Sequence, residues 1–319
     1  MDRRRRTDQM TVTLSEARGL LRQWCVRLAA LSVTAVAVQA QQVADTTFSP
    51  PVSRPAYKEG TGPLILLDEA HQNFHTISGR YTAFAKLVRR DGYRIVGNTQ
   101  KFSAASLKGA SILVIANALN ERNTGGNWRL PTPSAFDSSE IAAVREWVRG
   151  GGSLLLISDH MPFPGAMGPL AEEFGVHMMN GFAMQNDTLA NGIFMLTKRS
   201  GALATNTITR GVDSVKVFTG QGFRIDSGVP LLTIKTDVVM LMPPVAWEFS
   251  DSTPRTSARG LLQGAAIRFG AGRVAVFAEA AMFSAQVTGP DRSPMGMNDP
   301  AAAQNPRFLL NVLHWLSRK

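Results

Sequence analysis

The sequence predicts an α/β fold built on a mainly parallel sheet. From residue 63 onward, short apolar runs alternate with amphipathic segments, which is the pattern of strand–helix–strand units. The composition agrees with this prediction, because 44% of the 319 residues are hydrophobic and 18% are charged, as in ordinary globular domains. These values exclude a disordered chain, a fibrous protein and a protein with many membrane spans.

The first half of the pattern contains four apolar runs of strand length and three helical segments. The clearest helix begins at Asp137, which forms a predicted capping box with Glu140, and it ends at Gly150. The four predicted strands are Pro63–Asp68, Tyr93–Val96, Ser111–Ala116 and Ser153–Ser158. The other two predicted helices are Tyr81–Arg90 and Gly165–Phe174.

A β-rich extension is predicted between about residues 177 and 260, where β-branched runs lie between Gly, Pro and Asp turns. These runs are Val215–Phe218, Leu231–Ile234 and Val238–Met242. After the extension, Leu261–Phe269 and Arg273–Phe277 predict a hairpin, and Pro306–Ser317 predicts a closing helix.

The first 40 residues have the order of an export signal. A basic segment extends to Arg27, an apolar run covers Leu28–Val38, and Ala40 precedes the predicted cleavage site. A membrane anchor is the less favoured alternative, because the eleven-residue run is shorter than the ~20 residues that span a bilayer. We therefore expect an exported protein, periplasmic or secreted, with no stable membrane span after cleavage. Residues 41–60 are expected to form an extended leader, and residues 61–319 a single α/β domain.

The net charge of +10 does not indicate a nucleic-acid partner once the charges are placed along the chain. Seven arginines and three acidic residues lie in residues 1–40. The remaining 27 basic and 21 acidic residues leave a net charge of +6 without a basic block. Nucleic-acid binding is therefore not expected.

Cysteine chemistry is excluded from the predicted mature chain. Cys25 is the one cysteine, and it lies inside the predicted export signal. Residues 41–319 therefore hold no disulfide, no thiolate metal ligand and no cysteine nucleophile.

Polar side chains follow several predicted strands at the point where each strand ends. In an open α/β sheet, ligands bind outside the carboxyl ends of the strands. If the first and fourth predicted strands are neighbours, the polar residues behind them share one crevice. The residues are Asp68, His71 and His75 after the first strand, Asn117 after the third, Asp159 and His160 after the fourth, and Glu279 after a late strand.

These residue types suit either metal binding or acid–base chemistry. Imidazole and carboxylate groups bind Zn, Mn or Fe, and they also orient and activate water. The sequence predicts Asp68, His71, Asp159, His160 and Glu279 as catalytic residues. It predicts His71, His75, Asp159 and His160 as ligands of a divalent metal, with His71 and His75 on one helical face.

A structural role is the alternative for the same residues. Asp68, Glu69 and Asp159 are then expected to cap neighbouring helices, and the histidines to bond buried backbone carbonyls.

Several segments together resemble the class I glutamine-amidotransferase-like superfamily over residues 61–319. They are LILLDEAH, EWVRGGGSLLLISDH, TITRGVDSVKVFTGQGF, GAGRVAVFAEAAMFS and NPRFLLNVLHWLS. The resemblance implies a flavodoxin-like, doubly wound sheet. More narrowly, these segments resemble an uncharacterised secreted branch akin to trehalose-utilisation-type and gliding-motility or intraflagellar-transport domains. Family likeness of this kind implies a fold more firmly than a function.

The resemblance also implies a departure in chemistry. In amidotransferases of this family, the nucleophilic cysteine follows the strand that matches Ser153–Ser158, and here that turn carries Asp159 and His160. Glutamine hydrolysis through a thioester is therefore not expected.

We expect an exported hydrolase, with or without a metal, whose pocket lies at the carboxyl edge of the sheet. The alternative is a non-catalytic ligand-binding or assembly module for a carbohydrate or a cell-envelope partner.

Overall fold

The structure is a computed structural model that describes residues 42–186 and 192–319. The predicted export signal lies outside the described residues. The described parts of Val43–Val287 and Pro294–Lys319 form one compact unit, and the short segment Thr288–Ser293 falls outside that unit. Within the described residues, no helix is long and apolar enough to cross a membrane.

Four α-helices and seventeen strands are assigned within residues 42–186 and 192–319. The helices are α1 (Thr82–Arg90), α2 (Ser138–Arg149), α3 (Phe163–Glu172) and α4 (Asn305–Ser317). The strands of the first half are β1 (Val43–Ala44), β2 (Leu64–Asp68), β3 (Arg94–Asn98), β4 (Ile112–Ala116) and β5 (Ser153–Ile157). The next eight are β6 (Val176–Met178), β7 (Phe182–Gln185), β8 (Phe194–Thr197), β9 (Ser214–Val217), β10 (Phe223–Ile225), β11 (Val229–Thr233), β12 (Val238–Leu241) and β13 (Arg255–Ser257). The last four are β14 (Leu262–Phe269), β15 (Gly272–Phe277), β16 (Ala285–Thr288) and β17 (Ser293–Gly296).

The central sheet has the strand order β3-β2-β4-β5-β15-β14-β10-β6, and β11 also pairs with β14. The strands from β3 to β15 in this order run parallel, whereas β14, β10 and β6 continue the sheet by antiparallel pairing. The predicted α/β fold with a doubly wound, mainly parallel core is therefore confirmed. The predicted hairpin is also confirmed, because β14 and β15 pair from Gly264–Phe277 to Phe269–Gly272.

Helices cover both faces of the parallel strands. One apolar cluster packs α1 and α4 against one face, and a second packs α2 and α3 against the other. Every residue of β4 and β5 is buried, as expected for strands covered on both sides.

The β-rich extension is confirmed as two further small sheets. The strands β13, β12 and β7 form one, and β8 and β9 form the other. A small apolar cluster, separate from the two main ones, lies on β7 and β12 with Met161 and the partly buried Trp247.

A single crevice required the first and fourth predicted strands to be neighbours in the sheet, and they are not. Strand β4 lies between β2 and β5 and pairs with both. Asp68 and Asp159 therefore follow strands that are two positions apart in the sheet.

We expect Leu155 to be critical for stability, because it is fully buried in β5 between β4 and β15. Leu155→Ala should lower the free energy of unfolding by about 2–5 kcal/mol, since it removes apolar contacts and leaves a cavity. Leu130→Ala is the control, because Leu130 is 51% exposed. Urea denaturation measures both variants, and an equal loss in the two would contradict the position of Leu155 in the core.

Candidate functional site

The candidate residues lie at the carboxyl edge of the parallel strands, but on two different faces of the sheet. Side chains alternate between the faces along a strand. Asp68 falls on the face of Leu66, which belongs to the cluster of α2 and α3. Asp159 and Glu279 fall on the face of Ile157 and Phe277, which belong to the cluster of α1 and α4. The structure therefore divides the predicted residues into separate groups.

The first group joins Asp68, His71 and Glu140. Nδ1 of His71 lies 2.9 and 3.0 Å from the two carboxylate oxygens of Asp68, and Nε2 lies 2.8 Å from Oε1 of Glu140. The His71 ring packs against Phe102 and Phe136, with centroid distances of 4.6 and 4.8 Å. Glu140, which sequence reasoning used only as a helix cap, also accepts a hydrogen bond from the Phe102 amide.

The two carboxylates favour the charged form of His71. Burial acts to lower the pKa of His71, but the hydrogen bonds and charges of Asp68 and then Glu140 outweigh it, so the pKa is raised above 6.5. Both ring nitrogens then donate, as they do in an imidazolium. Binding of a metal through His71 would require the loss of one of these bonds.

The prediction that His71 and His75 share a helical face is wrong. The segment between β2 and α1 consists of turns, and Gln72 has a positive φ of 49°. The side chain of Asp68 accepts a hydrogen bond from the Ala70 amide, and that of Asn73 accepts one from the His71 amide. Local bonds of this kind compete with the backbone hydrogen bonds of a helix. The two histidines point to different partners.

The second group centres on Asn117, at the end of β4. Its backbone has a positive φ of 49°, and its Oδ1 accepts a hydrogen bond of 2.8 Å from the Asp159 amide. Its Nδ2 lies 3.3 Å from Nδ1 of His75. Because an amide nitrogen only donates, Nδ1 of His75 is the acceptor and Nε2 carries the proton. Asn117 thus links the segment after β2 to the turn after β5.

His75 is held neutral in this position. Burial, and then the charge of Arg80, lower the pKa of His75 to about 3. Its Nε2 is buried and has no hydrogen-bond partner among the described residues. A buried donor without a partner is costly and is typical of a strained or functional position.

Asp159 and Glu279 form a buried acidic pair. Ile157 is in register with Phe277, so continuation of that register by two residues places Asp159 beside Glu279. Glu279 accepts hydrogen bonds of 2.6 and 2.7 Å from the amides of Ala281 and Met282. Burial, and then the charge of Asp159, raise the pKa of Glu279 well above 4.5.

Tyr81 completes the buried part of this group. Its hydroxyl donates a hydrogen bond of 3.2 Å to the carbonyl of Ala280. Burial and the charges of Glu279 and Asp159 raise the pKa of Tyr81, so the phenol stays protonated. Sequence reasoning placed Tyr81 only on the apolar face of a helix.

The His160 side chain lies in an aromatic environment, separate from the side chains of both groups. Its Nδ1 donates a hydrogen bond of 2.7 Å to the carbonyl of Met161, which leaves Nε2 as the acceptor. No described residue forms a hydrogen bond with Nε2. The ring stacks on Phe182 at 4.6 Å and meets the edge of Trp247 at 4.7 Å. The carbonyl bond matches the structural alternative for this histidine, yet Nε2 keeps a lone pair for chemistry.

Three half-buried rings, Phe74, Trp128 and Trp247, form what we call the aromatic wall beside His160. Phe74 and Trp128 are 5.4 Å apart, and Trp128 is 5.9 Å from the His160 ring. Trp247 has a positive φ of 69°, which is rare for a bulky residue and typical of functional sites.

Backbone hydrogen bonds hold the two tryptophan loops together. The Ala246 amide donates to the Trp128 carbonyl at 2.8 Å, and the Leu130 amide donates to the Pro244 carbonyl at 2.9 Å. Sequence reasoning missed the aromatic wall, because its members lie in three loops without a shared pattern.

The described residues do not fit the predicted metal site. No group of three or more His, Cys, Asp or Glu side chains in residues 42–186 and 192–319 is arranged to hold a metal ion. The histidines explain why, because His71 is bound by two carboxylates, His75 by Asn117, and His160 points into an aromatic environment. Metal binding stays a prediction, and the described residues offer no set of ligands for it.

Comparisons with known proteins support the fold. No protein-family model and no curated protein matches the chain. Among solved structures, the N-terminal domain of mmIFT52 is similar, with 14% identity and a TM-score of 0.55 over 79% of this chain and 97% of that domain. A cytoplasmic protein from Salmonella typhimurium has 13% identity and a TM-score of 0.46 over 80% of this chain and 99% of its own. A ThuA-like protein from Bacteroides uniformis has 10% identity and a TM-score of 0.46 over 84% and 94%.

At these identities the likeness concerns the fold alone.

We expect His71 to make stability depend on pH. Because folding raises the pKa of His71 above 6.5, its contribution is fully present below pH 6.5 and is lost as the pH rises through the folded-state pKa. His71→Gln should therefore be less stable than the wild type at acidic pH, with a difference that shrinks toward alkaline pH. Urea denaturation from about pH 5 to about pH 9 measures this difference.

The matched control is His177→Gln, because the His177 side chain is 46% exposed and its ion pairs are screened by solvent. A His71→Gln deficit that stays constant across the pH range contradicts an imidazolium between Asp68 and Glu140.

Proposed function

We propose that the carboxyl edge of the central sheet is a small-molecule site at which His160 acts as the general base of a hydrolytic reaction. The observation that carries this proposal is the tautomer of His160. The bond from Nδ1 to the Met161 carbonyl fixes the ring and leaves the lone pair of Nε2 free of any described partner. A base oriented by a second hydrogen bond on its other nitrogen is typical of histidine in catalysis.

The surroundings of His160 suit a ligand that has both a ring face and polar groups. Small-molecule sites combine apolar and aromatic walls with a few placed polar groups. Here the aromatic wall supplies the apolar surface, and Nε2 of His160 supplies a polar group. A carbohydrate ring is the ligand class that we propose, since it offers an apolar face and a polar rim.

The buried acidic pair adjoins His160 through the His160 amide, which donates to Oδ1 of Asp159. Glu279 accepts from two backbone amides of its own turn after β15, and the strand register places it beside Asp159 of the turn after β5. In this proposal, Asn117, Asp159 and Glu279 are positioning residues, and His160 is the residue that touches water or substrate.

A non-catalytic binding site is the second candidate function. It is favoured by the side chain of Asp159, whose Oδ1 accepts from the His160 amide and thus does not orient the His160 ring. Asp159 then shapes the loop, and the same aromatic wall holds a carbohydrate without turnover.

We expect His160→Asn to separate these functions. The Asn amide keeps a donor for the Met161 carbonyl but lacks Nε2, so hydrolysis of a responsive nitrophenyl ester or glycoside should fall by about 10²-fold or more. Ligand binding should persist. The control is His177→Asn, which removes an exposed histidine elsewhere.

The measurement is turnover of a panel of nitrophenyl esters and glycosides, before and after dialysis against EDTA. Turnover that survives EDTA and depends on His160 supports the proposal, whereas turnover abolished by EDTA supports the metal-assisted hydrolysis expected from the sequence. A panel without turnover, combined with carbohydrate binding that is lost in Trp247→Leu, indicates a binding module.

A further inference from the structure

A cleft of about 460 Å³ opens at the edge of the central sheet opposite to the site proposed above. It lies beside the end of β14. The adjoining strand β15 begins there, and its Arg273 is in register with Ser153 at the start of β5. This edge holds the amino ends of the parallel strands. The cleft therefore has no residue in common with the site at the carboxyl edge.

The walls of the cleft are apolar, and its rim is polar. Buried Ile208 and Ala266 form the floor, and the half-buried Trp315 ring forms one wall. Ser227 and Arg268 lie on the exposed rim. A volume of this size, with mostly apolar walls and a few polar groups, is typical of pockets for small organic molecules.

Three arginines lie close together at this edge of the sheet, and one of them, Arg268, lines the cleft. Arg268 lies directly opposite Arg273 in the antiparallel pair of β14 and β15, an arrangement of like charges that destabilises a sheet. Burial, and then the charges of Arg268 and Arg318, lower the pKa of Arg273. Within residues 42–186 and 192–319, none of these three arginines forms an ion pair with a carboxylate.

Two of the three arginines have structural partners. Arg273 donates to the carbonyl of Trp315, and Arg318 donates to the carbonyl of Gly151 at 3.0 Å. The first bond satisfies a carbonyl in the last turn of α4, and the second ties the end of α4 to the turn before β5. Arg268 has no side-chain hydrogen bond or ion pair to a described residue, so its guanidinium is available to a ligand.

We propose that this cleft binds a small organic anion, a carboxylate attached to an apolar ring, with the carboxylate at Arg268 and the ring against Trp315 and Ala266. Arg268 offers the paired donors that match a carboxylate. The negative charge of the ligand relieves the repulsion between Arg268 and Arg273, which gives the anion an advantage over a neutral molecule of the same shape. This site is independent of the function proposed for the carboxyl edge.

The test is calorimetric titration of the full chain with 1-naphthoate, and with 1-naphthalenemethanol as the neutral analogue. We expect saturable binding of naphthoate, weaker binding of the alcohol, and a naphthoate affinity that falls with added salt. Arg268→Gln should weaken naphthoate binding about tenfold, because it removes a charge-assisted hydrogen bond.

The matched control is Arg255→Gln, because Arg255 is an exposed strand arginine in the separate sheet of β13, β12 and β7. Val229→Trp is a second test, since Val229 lines the cleft, is 49% exposed and leaves room for a ring that fills the site. It should abolish binding while circular dichroism stays unchanged.

Three results overturn the proposal. They are the absence of saturable binding up to about 10 mM naphthoate, equal weakening by Arg268→Gln and Arg255→Gln, and equal affinity for naphthoate and the alcohol.

Discussion

The register of β5 with its two parallel neighbours is the constraint on which the carboxyl edge depends. Pairing with β15 aligns Ile157 with Phe277 and thereby sets Asp159 beside Glu279. Pairing with β4 aligns Ala116 with Ile157 and brings the Asn117 side chain to the Asp159 amide. A shift of one residue would turn Asp159 toward the opposite face and separate it from both. Strand pairing thus brings together Asp159, Glu279 and the side chain of Asn117. Their proximity follows from the apolar packing that fixes the register of the sheet.

Glu140 shows how a local signal acquires a long-range role. One of its oxygens accepts from the Asp137 amide in the capping box, and the other accepts from the Phe102 amide and lies 2.8 Å from His71. The start of α2 is therefore tied to the loops after β2 and β3. Glu140, which the sequence identified only as part of a helix cap, thus positions the turn that carries His71. This turn lies on the face of the sheet opposite to Asp159.

The parts of the fold that depend on local sequence were predictable. The capping box of Asp137, the end of the helix at Gly150 and the apolar strands follow from signals within a few residues. The order of the strands in the sheet was not predictable. Strands β4 and β5 are apolar on both faces, so no alternation of polar and apolar residues shows on which face of the sheet the next residue lies. For the same reason, the sequence grouped Asp68 with Asp159. The environment of His160 was also hidden, since Trp128 and Trp247 meet it through loops that only the tertiary structure brings together.

The small apolar cluster on β7 and β12 has a dynamic consequence for the loop that carries Trp247. The cluster contains only five buried side chains and packs separately from the two clusters that cover the parallel strands. Regions with few buried apolar contacts open locally at a lower free energy than the whole domain. The other faces of β7 and β12 pack into a main cluster through Ala183, Val238 and Met240. Local opening is therefore expected in the Trp247 loop and its ring contacts, while the strands themselves keep their protection from hydrogen exchange.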